Sequence, residues 1–187
     1  MIRYLTESDV RKLLTMPIAL ELIEQAHKAL AENRAIDVPR ARIHLPAGSQ
    51  HVLQAAAPDL GYIGFKYYYT RPAGRSFYVH LINTETAQLE AIIEAVWMSM
   101  VRTGAASGVA TKHLANPDAS VLGQIGAGYQ GESQLEAVCS VRRIRGAKVC
   151  SARPSVSVGS TQSCSPGWRR IHSTYCAKGS MKSTRRW

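Results

Sequence analysis

The sequence predicts an α/β protein in which an N-terminal α+β domain is followed by one strand–helix–strand unit with parallel strands. Two observations support this fold class. After a helical start, residues 38–96 are rich in aromatic and β-branched residues and are broken by turn residues, which is typical of an antiparallel meander. Residues 121–150 then read as an apolar strand, a glycine turn, a helix and a second strand, the order of a βαβ unit. The predicted domain boundaries are 1–115, 116–150 and 151–187.

Two helices are predicted before the meander. Thr6 followed by Asp9 indicates the N-cap of a short first helix. Pro17 then opens a second helix, because proline fits the first turn without losing a hydrogen bond. A stripe of apolar positions at helical spacing supports both helices. Its members are Val10, Leu13 and Leu14 in the first helix, and Ile18, Leu20, Leu22, Ile23, His27 and Leu30 in the second.

The strands of the meander are predicted from composition and alternation. Arg40, Arg42 and His44 alternate with apolar neighbours, as on a strand with one polar face. A helix from about Trp97 to Ala115 follows the meander, and its many small residues predict close packing against a sheet or a second helix. The other predicted strands are 52–57, 61–70, 77–82 and a segment around 89–93.

The glycine turn of the βαβ unit fits the pattern G-x-G-x-x-G in the context of a strand and a helix. The strand is 121–125, the helix runs from about 130 to 141, and the next strand is 147–150. In this pattern the first glycine permits a tight turn, the second lets a pyrophosphate approach the backbone, and the third allows close helix–strand packing. The helix N-terminus holds the phosphate charge. These glycines are Gly126, Gly128 and Gly131, and they begin a Rossmann-like domain that is incomplete in this chain.

The residue about 20 positions past the glycines distinguishes NAD from NADP. An NAD site places an acid there for the ribose 2′-hydroxyl, but no acid occurs after Glu136. Ser151 and Arg153 stand at the corresponding place, and an arginine suits the 2′-phosphate of NADP. The sequence therefore predicts NAD or NADP as cofactor, favours NADP, and makes Arg153 a candidate cofactor-binding residue.

Composition argues against several classes of protein. The 187 residues are 45% hydrophobic and 19% charged, as in a folded globular chain. The formal net charge is +10, but seven of the 23 basic residues and none of the acidic ones lie in 151–187. Nucleic-acid binding is therefore not expected, because the charge belongs to the tail, whose aromatic residues are too sparse for a stacking platform.

Targeting and redox signals favour a cytoplasmic protein. No apolar run is long enough to span a membrane, and the charged N-terminus does not resemble a signal peptide. The four cysteines form no C-x-x-C pair, so we expect reduced thiols, with Cys139 and Cys150 buried and inert. The histidines have no acids arranged around them, and no metal site is expected.

Residues 151–187 do not continue the pattern of the preceding domain. They contain nine serines, no Leu, Phe, Asp or Glu, and no helical or strand period. Two interpretations are open. The segment is a solvated, disordered basic extension, or it is translated out of the original reading frame from near residue 151, and the second interpretation is favoured.

Four short motifs occur in a fixed order between residues 102 and 149. They are RTGAASGVA, ANPDAS, GAGYQG and QLEA. Together with Val38-Pro39-Arg40 and Gly64-Phe65-Lys66 upstream, they resemble the ornithine cyclodeaminase and mu-crystallin family of NAD(P)-dependent proteins. The resemblance covers about residues 1–150 and stops where the family continues for well over a hundred residues.

The resemblance implies roles for individual side chains. Arg40 would bind the substrate carboxylate, with Arg42 as a neighbouring candidate. Lys66 would be the active-site lysine, which holds substrate or assists proton transfer, and its aromatic neighbours are expected to lower its pKa by desolvation. Arg102 would lie between substrate and nicotinamide. The implied cofactor-binding residues are Ser76, Arg102, Gly126, Gly128, Tyr129, Gln130 and Gly131.

The resemblance also implies a function and a partner. It indicates an NAD(P)-dependent amino- or imino-acid enzyme, acting by deaminating cyclisation, ketimine reduction or alanine dehydrogenation, in a homodimer with no membrane partner. The family's catalytic aspartate lies later in the nucleotide domain, and this chain has no aspartate after Asp118, so a truncated, inactive fragment is expected. The alternative is a non-catalytic module of the mu-crystallin kind that dimerises or binds a nucleotide.

Overall fold

The structure, a computed structural model, describes residues 1–72, 74–150 and 168–172. The chain divides into two compact units, and the predicted domain boundaries at 115 and 150 remain predictions. The first unit comprises Met1–Thr15 and Glu24–Ser99, and the second comprises Met16–Ile23 and Met100–Trp187.

The first unit contains a six-stranded sheet. Its strands are β1 (Arg3–Leu5), β2 (Ile36–Leu45), β3 (Gly48–Ala57), β4 (Tyr62–Arg71), β5 (Gly74–Asn83) and β6 (Leu89–Glu94). The strand order is β1-β6-β5-β4-β3-β2. All neighbours from β2 to β6 are antiparallel, which confirms the predicted meander, whereas β1 is parallel to β6. A β-bulge interrupts the pairing of β2 with β3 between Val38 and Ala41.

The helices begin where local sequence signals predict. They are α1 (Glu7–Leu13), α2 (Met16–Ala31) and α3 (Val96–Leu114). The hydroxyl of Thr6 accepts the Asp9 N–H at 3.3 Å, and the Asp9 carboxylate accepts the Thr6 N–H at 3.1 Å. The predicted capping of α1 is therefore confirmed. Pro17 lies in the first turn of α2, as predicted.

Glu7 holds the start of α3. Its carboxylate accepts the N–H groups of Val96 and Trp97, the latter at 3.0 Å. The N–H of Glu7 donates to Glu94 Oε2 at 2.7 Å, and the Tyr4 hydroxyl donates to Glu94 Oε1 at 2.9 Å. A carboxylate at a helix N-terminus satisfies orphan amides and complements the helix dipole. The N-terminal segment therefore stabilises a helix that begins 89 residues later in the chain.

The second unit contains the predicted βαβ arrangement. Strand β7 (Val121–Ile125) leads into helix α4 (Tyr129–Val141), and β8 (Gly146–Cys150) returns parallel to β7. The helix covers a small core of Leu135, Ala147 and Val149. A further strand, β9 (Trp168–His172), pairs antiparallel with β8. The fold is thus an α+β domain followed by the first βαβ unit of a Rossmann-like domain.

Small residues let α3 and α4 approach closely. A Cβ at Gly104 would lie 2.4 Å from the carbonyl oxygen of Ser133, and one at Gly108 would lie 3.0 Å from the Cβ of Ala137. Ser133 and Ala137 are fully buried. The close packing predicted for the small-residue helix is confirmed, and the partner is a second helix.

Three features differ from the sequence predictions. β1 is not predicted, because its three residues pair with a strand far along the chain and leave no local periodicity. The expectation of no strand in 151–187 is wrong for 168–172, because backbone pairing along β8 requires no alternation of side chains. Cys139 is disulfide-bonded, so the free thiol expected there is wrong. Cysteine spacing in sequence does not specify which cysteines meet.

Candidate functional site

The glycine turn between β7 and α4 has the backbone geometry that a dinucleotide-binding turn requires. Gly126 has φ +97°, a conformation that side chains other than glycine rarely adopt. Gly128 is the N-cap of α4, it provides no side-chain cap, and a Cβ there would enter open space. A Cβ at Gly131 would lie 2.8 Å from the carbonyl oxygen of Gly126. Gly126 thus permits the turn and Gly131 permits close packing against it, while the approach of a pyrophosphate to Gly128 stays a prediction.

Two glutamines flank this turn. Gln124, near the end of β7, donates from Nε2 to the carbonyl oxygen of Gly126 at 2.8 Å, which braces the turn. Its Oε1 and the Oε1 of Gln130 are buried without a hydrogen-bond partner among the described residues. A buried acceptor without a partner is costly, so these atoms suit a ligand that donates hydrogen bonds. The predicted residue Tyr129 lies beside them at the start of α4 and is 37% exposed.

Gln124 is a residue that the sequence analysis missed. A glutamine in a short strand reads as a solvated polar position, and its contact with Gly126 becomes visible only when the turn is folded. The signal that could have indicated it is its place two residues before the first glycine, where the neighbouring Leu122 and Ile125 are apolar.

Lys66 and Arg40 meet around one aromatic ring on the sheet of the first unit. The Lys66 ammonium donates to the hydroxyl of the buried Ser99 at 3.3 Å. Its Nζ lies 5.4 Å from the ring centre of Tyr68 and 5.6 Å from that of Phe77. The Arg40 guanidinium carbon lies 6.0 Å from the ring centre of Tyr68. Arg40 lies within the β-bulge of β2, a feature that commonly redirects a side chain beside a functional site.

The same face carries further basic groups. Arg42 of β2 is directly opposite His51 of β3, and His51 is opposite Tyr68. The rings of His51 and Tyr68 are stacked with centres 4.4 Å apart. Burial, and then the positive charges of Arg40, Arg42 and His44, hold the pKa of His51 below its usual value. This face is suited to an anion, and it is called the Tyr68 face below.

His51 is the second residue that the sequence analysis missed. Its imidazole was considered only as a metal ligand, since nothing in the local pattern indicates that β3 places it beside Arg42 and Tyr68. That position depends on the register of two hairpins, which residue types alone do not specify.

The remaining predicted site residues are Ser76, Arg102 and Arg153. Ser76 of β5 is opposite Tyr69 of β4 and therefore lies on the other face of the sheet, where it is exposed. Arg102 is exposed on α3 and belongs to the second unit. Arg153 lies outside the described residues. The cofactor roles of these three residues remain predictions.

Two features, a membrane-spanning helix and a cluster of metal ligands, are absent from the described part of the chain. No helix there is both long and apolar enough to cross a bilayer. No group of three or more His, Cys, Asp or Glu side chains converges there on a potential metal position.

Comparison with known proteins gives consistent matches to one group. The profile of the ornithine cyclodeaminase/mu-crystallin family matches residues 3–166, which extends past residue 150. Alanine dehydrogenase of Archaeoglobus fulgidus is 31% identical over 156 residues, which cover 80% of this chain and 48% of that protein. The chain thus spans about half the length of the curated relatives it matches.

Two solved structures share the fold at similar coverage. An archaeal alanine dehydrogenase dimer with bound NAD has 30% identity and a TM-score of 0.78, over 81% of this chain and 49% of that one. The Δ1-pyrroline-2-carboxylate reductase of Thermococcus litoralis, in complex with NADH and L-proline, has 32% identity and a TM-score of 0.77. That match covers 82% of this chain and 50% of the reductase.

Proposed function

Because this chain belongs to the ornithine cyclodeaminase/mu-crystallin family, we propose that it binds a nicotinamide dinucleotide and a small amino or imino acid. The observation that carries the proposal is the geometry of Gly126, Gly128 and Gly131 between β7 and α4. The family relatives with named ligands bind NAD, NADH and L-proline, which supports both halves of the proposal. A cytoplasmic location stays a prediction.

The dinucleotide half of the proposal assigns the pyrophosphate to the N-terminus of α4. The dipole of this helix favours an anion there, and Gly128 has no Cβ to obstruct it. Gln124 braces the turn, and the buried Oε1 of Gln130 can accept from a hydroxyl group of the dinucleotide, since the pyrophosphate itself has no donor. When bound, the nicotinamide supplies hydride transfer. Arg153 favours NADP, whereas the named ligands of the relatives are NAD and NADH. The binding test therefore uses both NADH and NADPH.

The substrate half of the proposal assigns the carboxylate of an amino or imino acid to the Tyr68 face. Arg40 and Lys66 approach one ring from β2 and β4 and present guanidinium and ammonium donors. Two charge-assisted donors of this kind bind a carboxylate well. The family's chemistry acts on amino or imino acids, but we expect these 187 residues to bind such a substrate without turnover, because no aspartate follows Asp118.

The proposal is tested on the full 187-residue chain with Lys66→Met as a variant. We expect saturable changes in fluorescence with NADH or NADPH, and heat of binding with L-proline or L-alanine. Lys66→Met removes one charged donor and should weaken amino-acid binding about tenfold or more while leaving NADH binding intact. Lys148→Met, at an exposed position of β8, is the matched control.

Dinucleotide binding and amino-acid binding are each contradicted by a different result. Failure of both dinucleotides to bind would reject the assignment of the glycine turn. Equal affinity of the natural chain and Lys66→Met for L-proline would reject the assignment of Lys66. Oxidation of NADH with an imino-acid substrate by this chain would show that the expectation of inactivity is wrong.

A second candidate function, a dimerising module, is favoured by one observation. The opposite face of the sheet from Lys66 exposes large apolar side chains on β2 and β4, the two strands that flank β3, each with at least 43% of its surface accessible. Strand register places them on one face. Contiguous apolar surface of this kind typically marks a protein–protein interface. The side chains are Ile36, Val38, Ile43, Leu45 and Ile63, and they are called the apolar face.

The apolar face predicts a dimer that a single charge disrupts. We expect light scattering to give twice the chain mass for the natural protein and the single mass for Ile43→Glu, since burying an unpaired carboxylate costs several kcal/mol in an apolar interface. Leu60→Glu is the matched control, because Leu60 is 73% exposed but lies in the turn before β4. A dimer that survives Ile43→Glu would exclude this face as the interface.

A further inference from the structure

His51 occupies a central position on the Tyr68 face. Its ring is stacked on the Tyr68 ring, and it lies directly opposite Arg42 in the pairing of β2 with β3. Arg40 and Lys66 lie near the same Tyr68 ring, at 6.0 Å and 5.4 Å from its centre, and Phe77 is stacked on that ring with centres 4.7 Å apart. Two positively charged side chains and one imidazole thus lie around a single aromatic ring.

The Nδ1 atom of His51 is buried and has no hydrogen-bond partner among the described residues. A protonated imidazole carries an N–H at both ring nitrogens, so it would leave a buried charged donor unpaired, which is costly. A neutral ring with its proton on Nε2 leaves only an acceptor at the buried position. The positive groups on the neighbouring strands, Arg40, Arg42 and His44 of β2 and Lys66 of β4, also favour the neutral ring.

We propose that His51 is a further substrate-binding residue, whose Nε2–H donates a hydrogen bond to the carboxylate held by Arg40 and Lys66. This inference rests on the proposed function and adds a neutral donor to its two charged ones. A neutral N–H donor orients the carboxylate and does not add to the repulsion among the positive charges of the Tyr68 face. Stacking on Tyr68 fixes the plane of the imidazole, so the donor is oriented before the substrate arrives.

Binding of a carboxylate at this face has a second consequence. A negative charge beside the imidazole favours its protonated form, so the ligand raises the pKa of His51 from its lowered value. By linkage, amino-acid affinity rises as pH falls through the pKa of His51. A histidine remote from the bound carboxylate would show neither effect.

The test compares three variants of the full chain by calorimetric titration with L-proline and L-alanine. His51→Phe keeps a stacked ring and removes the donor, and it should weaken binding about tenfold or more. His51→Gln keeps an N–H donor near the position of Nε2 and should bind within about threefold of the natural chain. His80→Phe is the matched control, because His80 is stacked on Phe65 with a buried Nδ1 but lies on the other face of the sheet.

The outcomes separate this proposal from the proposed function. Equal affinity of His51→Phe and the natural chain would overturn the role of His51 and leave the substrate site standing. Equal weakening by His51→Gln and His51→Phe would overturn the hydrogen bond. Absence of amino-acid binding by the natural chain would overturn both, and the NADH titration then shows whether the dinucleotide half survives.

An NMR measurement on the unaltered chain covers the case in which His51→Phe does not fold. The C–H resonances of the His51 imidazole are followed with pH, with and without L-proline. A ligand-induced rise in the His51 pKa supports the proposal. An unchanged titration curve in the presence of bound L-proline overturns it.

Discussion

Replacing Gly128 by aspartate is expected to stabilise the protein and at the same time to weaken the NADH binding proposed for it. Gly128 is the N-cap of α4 in an extended conformation, with no side-chain cap and open space where a Cβ would stand. Aspartate is a favoured N-cap residue and its charge complements the helix dipole, so we expect a gain of about 0.5 kcal/mol. The same carboxylate would occupy the helix N-terminus and repel the pyrophosphate, which should weaken NADH binding about 100-fold or more.

This prediction is checked by thermal unfolding and NADH titration of the same preparations. Gly146→Asp is the matched control, because Gly146 has open space for a Cβ and pairs with Val121, at the opposite end of β7 from the turn. It adds the same charge and should leave NADH binding unchanged. If Gly128→Asp binds NADH as the natural chain does, the pyrophosphate does not lie at the start of α4.

The Gly104→Ala substitution is expected to cause the largest loss of stability among single-methyl additions to the second unit. The added Cβ would lie 2.4 Å from the Ser133 carbonyl oxygen and 2.5 Å from its carbon, and backbone atoms cannot move aside as a side chain can. Alanine improves helix propensity by about 1 kcal/mol. Overpacking that forces two helices apart costs more, so we expect a net loss of about 2 kcal/mol.

Urea unfolding measures this loss as a lower midpoint at constant slope. Gly123→Ala serves as the comparison, because Gly123 lies on β7 of the same unit and a Cβ there meets nothing within 4 Å. Its midpoint should move by no more than the equivalent of about 0.5 kcal/mol. A midpoint for Gly104→Ala equal to that of Gly123→Ala would mean that α3 and α4 are not in the close contact described above.

The strand–helix–strand segment of the second unit was predicted well because its signals are local. The strand 121–125 has the predicted bounds, α4 begins one residue earlier than predicted, and β8 begins at Gly146 instead of Ala147. A glycine turn, an apolar strand and a helix N-terminus each depend on a few neighbouring residues. The same locality explains the correct capping of α1 by Thr6 and Asp9.

Features that depend on distant parts of the chain were not predictable in this way. The strands β1 and β9 exist only through their partners β6 and β8. The convergence of Arg40 and Lys66 on Tyr68 requires the register of three strands and the bulge before Ala41. The family resemblance indicated these two cations as site residues, but only the folded sheet shows His51 joining them.

The pairing of β1 with β6 and the capping of α3 by Glu7 have a consequence for the order of folding. Each hairpin from β2 to β5 closes a short loop, whereas β1 must find β6, with Arg3 beside Ala91, across most of the unit. Closing a long loop costs more entropy and slows folding. We therefore expect β1 to join the sheet after the hairpins, and the amides at the start of α3 to exchange with water until Glu7 accepts their hydrogen bonds.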